Sequence, residues 1–318
     1  MAGCKQKGLL AFEWAALIYI AVTLVLIAVL WQKLVSPLTM VQGRVAVVVM
    51  TLALWAVYRW RPCRLTMLLR VVGQMAWLGW WYPDTYELNR VLPNLDHLFA
   101  EAEQWVFGCQ PALLFSWQWP QPILSEVLTL GYVSYYPLIA AVVLYYFLRR
   151  YAEFTHCVFI IMGSFFLFYI IFDLLPVAGP QFYYEAVGIK EIAQGHFANV
   201  GMWFLDHQNS LPSPGYSDGL FYHLLQQAHE AGERPTAAFP SSHVGITTVL
   251  LCLAWHARSR WLFFTMLPLG ILMFFATFYI QAHYVIDAIA GIFTGLLFYY
   301  LLSRVADFST KNRKIIRR

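Results

Sequence analysis

The chain has 318 residues, of which 60% are hydrophobic, 18% aromatic and only 12% charged. Soluble domains carry about 25% charge, so this composition, with a mean hydropathy of +0.58, excludes an ordinary soluble protein and points to a polytopic, all-α membrane protein. The net charge of +4 is small and calls for no nucleic-acid partner.

Lys5 and Lys7 precede a long apolar run, Leu9–Trp31, that has no small-residue cleavage site before its polar end. It is long enough to stay in the membrane as a spanning helix rather than leave as a signal peptide. Cys4 follows Met-Ala-Gly, not an apolar stretch, which argues against a lipid-anchored N-terminus. Cys63, Cys109, Cys157 and Cys252 lack metal-ligand spacing, and only Cys109 falls on the outer side of the topology below, so no outer disulfide is expected.

Eight runs are long or apolar enough to span, at about 9–31, 43–58, 65–82, 123–148, 154–175, 243–257, 261–281 and 284–303. The second, third and sixth are short, and the third contains Gly73, Gln74 and Gly79. With the N-terminus inside, 16 of the 21 Lys and Arg fall on inner segments and 5 on outer ones (Lys33, Arg44, Arg90, Lys190 and Arg234). That excess follows the positive-inside rule and favours an even number of spans with both termini cytoplasmic. The chain then divides into an N-terminal region (1–122), a core (123–303) and a basic tail (304–318) suited to anionic inner-leaflet lipid.

Two outer segments are more than turns. Within 83–122, Leu95, Leu98, Phe99, Ala102 and Val106 recur at helical spacing, with Asp96, His97, Glu101 and Glu103 on the other side. This predicts an amphipathic helix, either at the membrane interface beside Trp105, Trp117 and Trp119 or buried as a cap over the bundle. Residues 176–242 hold His196, His207, His223, His229 and, just beyond, His243, with Asp206, Asp218, Glu230 and Glu233. A connection this long is a candidate lid or small subdomain. Its His and acidic residues lack the close spacing of a metal site and read as solvated, so no metal or other cofactor is expected.

At the end of that loop, Arg234-Pro-Thr-Ala-Ala-Phe-Pro-Ser-Ser-His243 leads into an apolar run. Pro240 cannot sit inside a helix and Ser241 and Ser242 are good caps, so a helix starts near Ser242 with an imidazole in its first turn. Its unpaired N–H groups and partial positive charge suit an anion, aided by Ser241, Ser242 and Arg234. Forty residues on, His283-Tyr-Val-Ile-Asp287 spaces an imidazole and a carboxylate four apart, on one face if helical. An Asp bonded to one ring nitrogen fixes the tautomer and leaves the other free to attack. Both His begin helices that run outside to inside, so the two motifs meet at the same membrane face.

Phe239-Pro-Ser-Ser-His243 resembles the Pro-Ser-x-His motif of the type 2 phosphatidic acid phosphatase (PAP2) superfamily, and His283-Tyr-Val-Ile-Asp287 its closing His-x-x-x-Asp motif. Phe172-Asp-Leu-Leu-Pro-Val-Ala-Gly-Pro180 is similar to the inositolphosphotransferase-like branch, which includes phosphosphingolipid synthases. The resemblance covers about residues 123–303. The superfamily's first motif, Lys-x6-Arg-Pro, is not matched: Arg234-Pro235 has Gln227 and Ala228 in the upstream region, and Ala276 and Thr277 replace the usual Ser-Arg before the last His. The resemblance implies that His283 is the nucleophile of a phosphohistidine, that Asp287 orients it and that His243 is the general acid and base. It implies a membrane-lipid donor at the outer leaflet and no metal. The acceptor would be an alcohol such as inositol or a ceramide-type lipid, or water in a hydrolase. A non-catalytic lipid-binding or transport protein of the same fold is the alternative of another class. The absence of any Asn-x-Ser/Thr sequon suits a bacterial inner membrane with the site facing the periplasm.

Overall fold

The structure is a computed structural model that describes residues 8–315. Cys4, Lys5, Lys7 and the tail's Arg317 and Arg318 lie outside the described residues. The helices are α1 (Ala11–Leu30), α2 (Pro37–Trp60), α3 (Arg64–Ala76), α4 (Leu78–Asn89), α5 (Asp96–Phe107), α6 (Pro111–Gln118), α7 (Pro122–Val133) and α8 (Tyr135–Arg149). They continue as α9 (Phe154–Leu174), α10 (Pro180–Val187), α11 (Ile189–Ala193), α12 (Leu220–Gly232), α13 (Ser242–His256), α14 (Arg260–Tyr279) and α15 (Val285–Ile315). No strand occurs among the described residues. Four helices, α2, α6, α7 and α10, start with Pro in the first turn, where its missing N–H costs nothing.

The apolar helices mark an integral membrane protein, but the eight-span expectation is reduced. Five helices are long and apolar enough to cross, α1, α2, the α9 segment, α14 and α15, or six if α7 and α8, bent by 44° at Ser134, form one span. The expected span at 65–82 is broken at Trp77 into α3 and α4, and α4 contains Pro83. The expected span at 243–257 is α13, only 15 residues long, short for a core about 30 Å thick.

α9 lies at the centre, 78% of its apolar window buried, with α1, α4, α8, α13 and α15 packed around it. The N-terminal helices are joined by two buried ion pairs, Arg44–Asp84 between α2 and α4 at 2.6 Å and Arg70–Glu13 between α3 and α1 at 2.5 Å. Charges removed from water persist only when paired and hydrogen-bonded.

The amphipathic helix is present as α5, with Phe99 and two of its carboxylates packed inward and Glu101 exposed. Asp96, Ala100 and Glu103 are buried, while Leu98, Val106 and Trp105 are exposed. Lipid is an apolar solvent, so the apolar face can point outward and the carboxylates can cap the bundle. Asp96 accepts from the backbone N–H groups of Ala178 (2.6 Å) and Gly179 (2.8 Å) and from the hydroxyl of Tyr284 (3.1 Å).

α13 and α15 touch backbone to backbone. A Cβ on Gly291 would lie 2.6 Å from the Ser241 carbonyl oxygen, and one on Gly295 would collide with the Gly245 carbonyl. Small residues at a membrane crossing allow this approach. The Ser241 N–H also donates to the Asp287 carbonyl at 3.0 Å, tying the two helix starts together.

Gly291→Val must therefore force these helices apart, at about 1–3 kcal/mol for overpacking. A lower unfolding midpoint in detergent is expected. Gly79→Ala, which meets nothing within 4 Å, should leave that midpoint unchanged.

Candidate functional site

His243 is set by the start of α13. Ser241 is the N-cap, its Oγ accepting from the Val244 N–H at 3.4 Å, and the helix begins at Ser242 where the Pro-Ser-Ser sequence places it. The His243 ring stacks on Tyr132 at 4.6 Å between centroids and leans on Tyr135 at 4.5 Å. Its Nδ1 is buried without a hydrogen-bond partner.

His283 is placed differently from the helical reading of its motif. α15 starts at Val285, so His283 lies in the preceding turn, held by its N–H to the Thr277 carbonyl at 3.0 Å. Its Nδ1 is 2.8 Å from the Ala238 carbonyl oxygen and 3.8 Å from Asp287 Oδ2. A carbonyl only accepts, so Nδ1 carries the proton and Nε2 keeps its lone pair. The hydrogen bond expected from Asp287 is thus made by Ala238, with the carboxylate one step further away. Asp287 Oδ2 instead accepts the Tyr284 N–H at 2.8 Å, capping α15. Burial pushes the His283 imidazole down to about 4, against the opposing pull of the Ala238 carbonyl and the Glu233 charge.

Two non-glycine residues in the left-handed region shape these turns, Ala237 (φ 67°) and Gln281 (φ 63°). Such residues are uncommon and depend on surrounding contacts to hold them. Here the contacts come from the 176–180 turn. Ala238 N–H donates to the Val177 carbonyl at 3.0 Å, and Gln181 N–H to the Gln281 carbonyl at 2.8 Å. Gly179, at φ 92°, lies so close that a Cβ there would sit 2.5 Å from the Ala282 carbonyl oxygen. The Val-Ala-Gly-Pro end of the earlier motif is therefore a wedge that seats the neighbours of His283. Its Asp173 lies elsewhere, bonded by the Tyr19 hydroxyl at 3.2 Å.

The two imidazoles come together, 5.8 Å between ring centroids at 65°. They line a cleft with Tyr82, Tyr132, Glu233, Thr236, Ala237, Ala238, Ser242 and Ala282. The cleft holds about 10 Å³, room for about one water. Of the residues singled out for the phosphoryl group, Ser242 lines it. Ser241 is fully buried as the N-cap, and Arg234 turns back so that its Nη1 donates to the Glu233 carbonyl at 2.7 Å.

Several cleft residues carried no legible signal in the sequence. Tyr82 and Tyr132 were two of many aromatics, and Glu233 was one acid of a polar loop. The Ala238 carbonyl is invisible to any side-chain motif. Of the other loop His residues, His196 bonds Glu191 at 3.0 Å and His207 stacks on Trp203 at 3.8 Å, away from the cleft pair, whereas His229 meets the edge of the Tyr132 ring at 6.4 Å, behind His243. Among the described residues no group of three or more His, Cys, Asp or Glu could hold a metal ion.

Behind His283, Glu103 is fully buried and its Oε1 accepts the Val285 N–H at 2.5 Å, while Oε2 lacks a partner. Burial, reinforced by the Asp287 charge, pushes its carboxyl up to about 8. A raised folded-state pKa means stability present below the unfolded value and lost as pH rises through the folded one. His283, depressed, has the opposite sign, and its contribution is lost as pH falls from about 6.5 towards 4. Between about pH 6.5 and 8 only the Glu103 effect operates of these two. The unfolding midpoint should fall across that interval in the native protein and flatten in Glu103→Gln. An unaltered slope in that variant would refute the assignment.

No curated protein and no solved structure matches the chain. A family model described as the PAP2 superfamily matches residues 97–301, more than half of the chain, from within α5 to within α15. By that match, the chain belongs to the PAP2 superfamily.

Proposed function

We propose that this protein is a membrane lipid phosphotransferase that works through a phosphohistidine on His283. Membership of the superfamily suggests lipid phosphatase or phosphotransferase activity. The observation that carries the finer reading is the facing pair of imidazoles, one with a fixed Nδ1–H and a free Nε2.

The reaction runs in two balanced steps. The Nε2 lone pair of His283 attacks phosphorus, the bond from phosphorus to the leaving lipid oxygen breaks, and that oxygen takes a proton from His243. His243 enters the step as the imidazolium, its charge opposed by burial in the resting cleft and balanced by the phosphoryl anion once that is bound. An acceptor hydroxyl then attacks the phosphohistidine, its proton passes to His243, and the phosphorus–nitrogen bond breaks. His243 ends as it began. The pair thus serves as nucleophile and acid–base catalyst. Asp287, 3.8 Å from Nδ1, balances the positive charge that the ring acquires on attack. Ser242 and the α13 N-terminus stabilise the phosphoryl oxygens; Ser241 contributes through the shape of that terminus. Arg234 joins only by leaving the Glu233 carbonyl.

An alcohol acceptor, inositol or a ceramide-type lipid, makes this headgroup transfer, and water makes it hydrolysis. The departures from the superfamily's cationic motifs favour transfer from a phosphodiester over hydrolysis of a phosphomonoester. The excess of basic residues on the inner segments of the eight-run reading supports a cleft at the outer face, the periplasmic side of a bacterial inner membrane.

Purified protein in detergent with EDTA and a phospholipid donor should form new phospholipid when alcohol is added. His283→Ala and His243→Ala should each lose at least about 100-fold in rate, the scale of removing acid–base or nucleophilic catalysis. Because His283 stays neutral down to about pH 4, its limb of the bell-shaped profile should fall near that pH. Full activity in His283→Ala, or a requirement for added metal, would sink the reading.

A further inference from the structure

Among the residues lining the cleft, Glu233 is the single Asp, Glu, Lys or Arg. Arg234, the cation nearest in sequence, bonds the Glu233 main chain rather than its carboxylate. The partners of Glu233 Oε1 are neutral, Gln181 Nε2 at 3.1 Å and the Tyr82 hydroxyl at 3.5 Å. Among the described residues Glu233 makes no ion pair. A site for a doubly charged phosphomonoester would be expected to hold cations here, and a fixed carboxylate instead repels such a group. Tyr82 and Tyr132 stand on the same cleft. Aromatic rings beside a carboxylate are the surroundings that hold an ammonium, through the ring quadrupole and the opposite charge.

We propose that the donor is a zwitterionic phosphodiester lipid whose ammonium headgroup is held by Glu233 beside Tyr82 and Tyr132, with its phosphorus between the two imidazoles. The donor's positive charge cancels Glu233, and its phosphodiester carries a single negative charge for the α13 N-terminus and Ser242. The resting cleft has room for about one water, so the headgroup enters by replacing the Tyr82 and Gln181 contacts of Glu233. Glu233 is then a specificity residue, and the proposal rests on the phosphoryl-transfer reading given above.

The test compares phosphatidylethanolamine and phosphatidylcholine with phosphatidylglycerol as donors, in the same detergent and with the same alcohol acceptor. All three are phosphodiesters, so they differ in headgroup charge and not in the bond broken. The native protein should prefer the ammonium donors, and Glu233→Gln should reduce the preference ratio about 10–100-fold, the worth of a charged hydrogen bond. Glu233→Asp should restore part of it. A preference for phosphatidylglycerol, or an equal loss for all donors in Glu233→Gln, would overturn the proposal. A binding arm separates this from failure of the catalytic reading. Thermal stabilisation of His283→Ala by dihexanoyl-phosphatidylcholine should exceed that by dihexanoyl-phosphatidylglycerol, and adding Glu233→Gln should abolish the difference. If that difference persists in the double variant, Glu233 is not the headgroup site, whatever the chemistry at His283.

Discussion

The close contact of α13 with α15 is the constraint on which the rest of the site depends. Gly245, Gly291 and Gly295 let the two backbones meet where any side chain would collide with a carbonyl or a ring. That approach places the start of α13 beside the turn before α15, and so brings two imidazoles from positions forty apart in sequence within 5.8 Å. In lipid there is no hydrophobic drive between apolar helices, so contacts of this kind must come from packing and hydrogen bonds. The Ser241 N–H to the Asp287 carbonyl adds such a bond at the crossing.

Around this contact the protein builds a polar shell out of groups that would be costly if left unpaired. Asp96 gathers two backbone N–H groups and the Tyr284 hydroxyl, while Glu103 and Asp287 each cap the start of α15. Buried polar groups in a low dielectric hold firmly when satisfied. The consequence for chemistry is a His283 that cannot turn: its Nδ1–H is committed to Ala238, and Ala238 is itself held by Val177. Pre-organisation of this sort fixes the direction of Nε2 before any ligand arrives. The two distant ion pairs, Arg44–Asp84 and Arg70–Glu13, perform the same fixing for the N-terminal helices.

The parts legible in the sequence were those written in side chains at short spacing. The Pro-Ser-Ser-His segment signalled its helix start, and the long apolar runs signalled a helical membrane protein. What escaped depended on backbone and on tertiary contact. The His283–Asp287 spacing suggested one helical face, but the helix begins after His283 and the carbonyl of Ala238 takes the bond. The periodicity of α5 left an interfacial helix and a buried cap both open, and the structure buries Asp96 and Glu103 while Glu101 stays exposed, because periodicity reports two faces without saying what each meets. The run at 65–82 breaks at Trp77, among the Gly73, Gln74 and Gly79 that set it apart from the longer apolar runs. Glu233 could not be picked out because nothing in a polar loop marks the one carboxylate that folds onto a cleft.

The proposed role of His283 is that of a nucleophile towards phosphorus. Its most direct test is rapid quenching at alkaline pH of the purified protein during turnover, followed by mass spectrometry of its peptides. An acid-labile phosphoryl adduct is expected on the peptide carrying His283, formed in the native protein and absent from His283→Ala. An adduct on another residue, or transfer to the alcohol with no covalent species at any time, would contradict it.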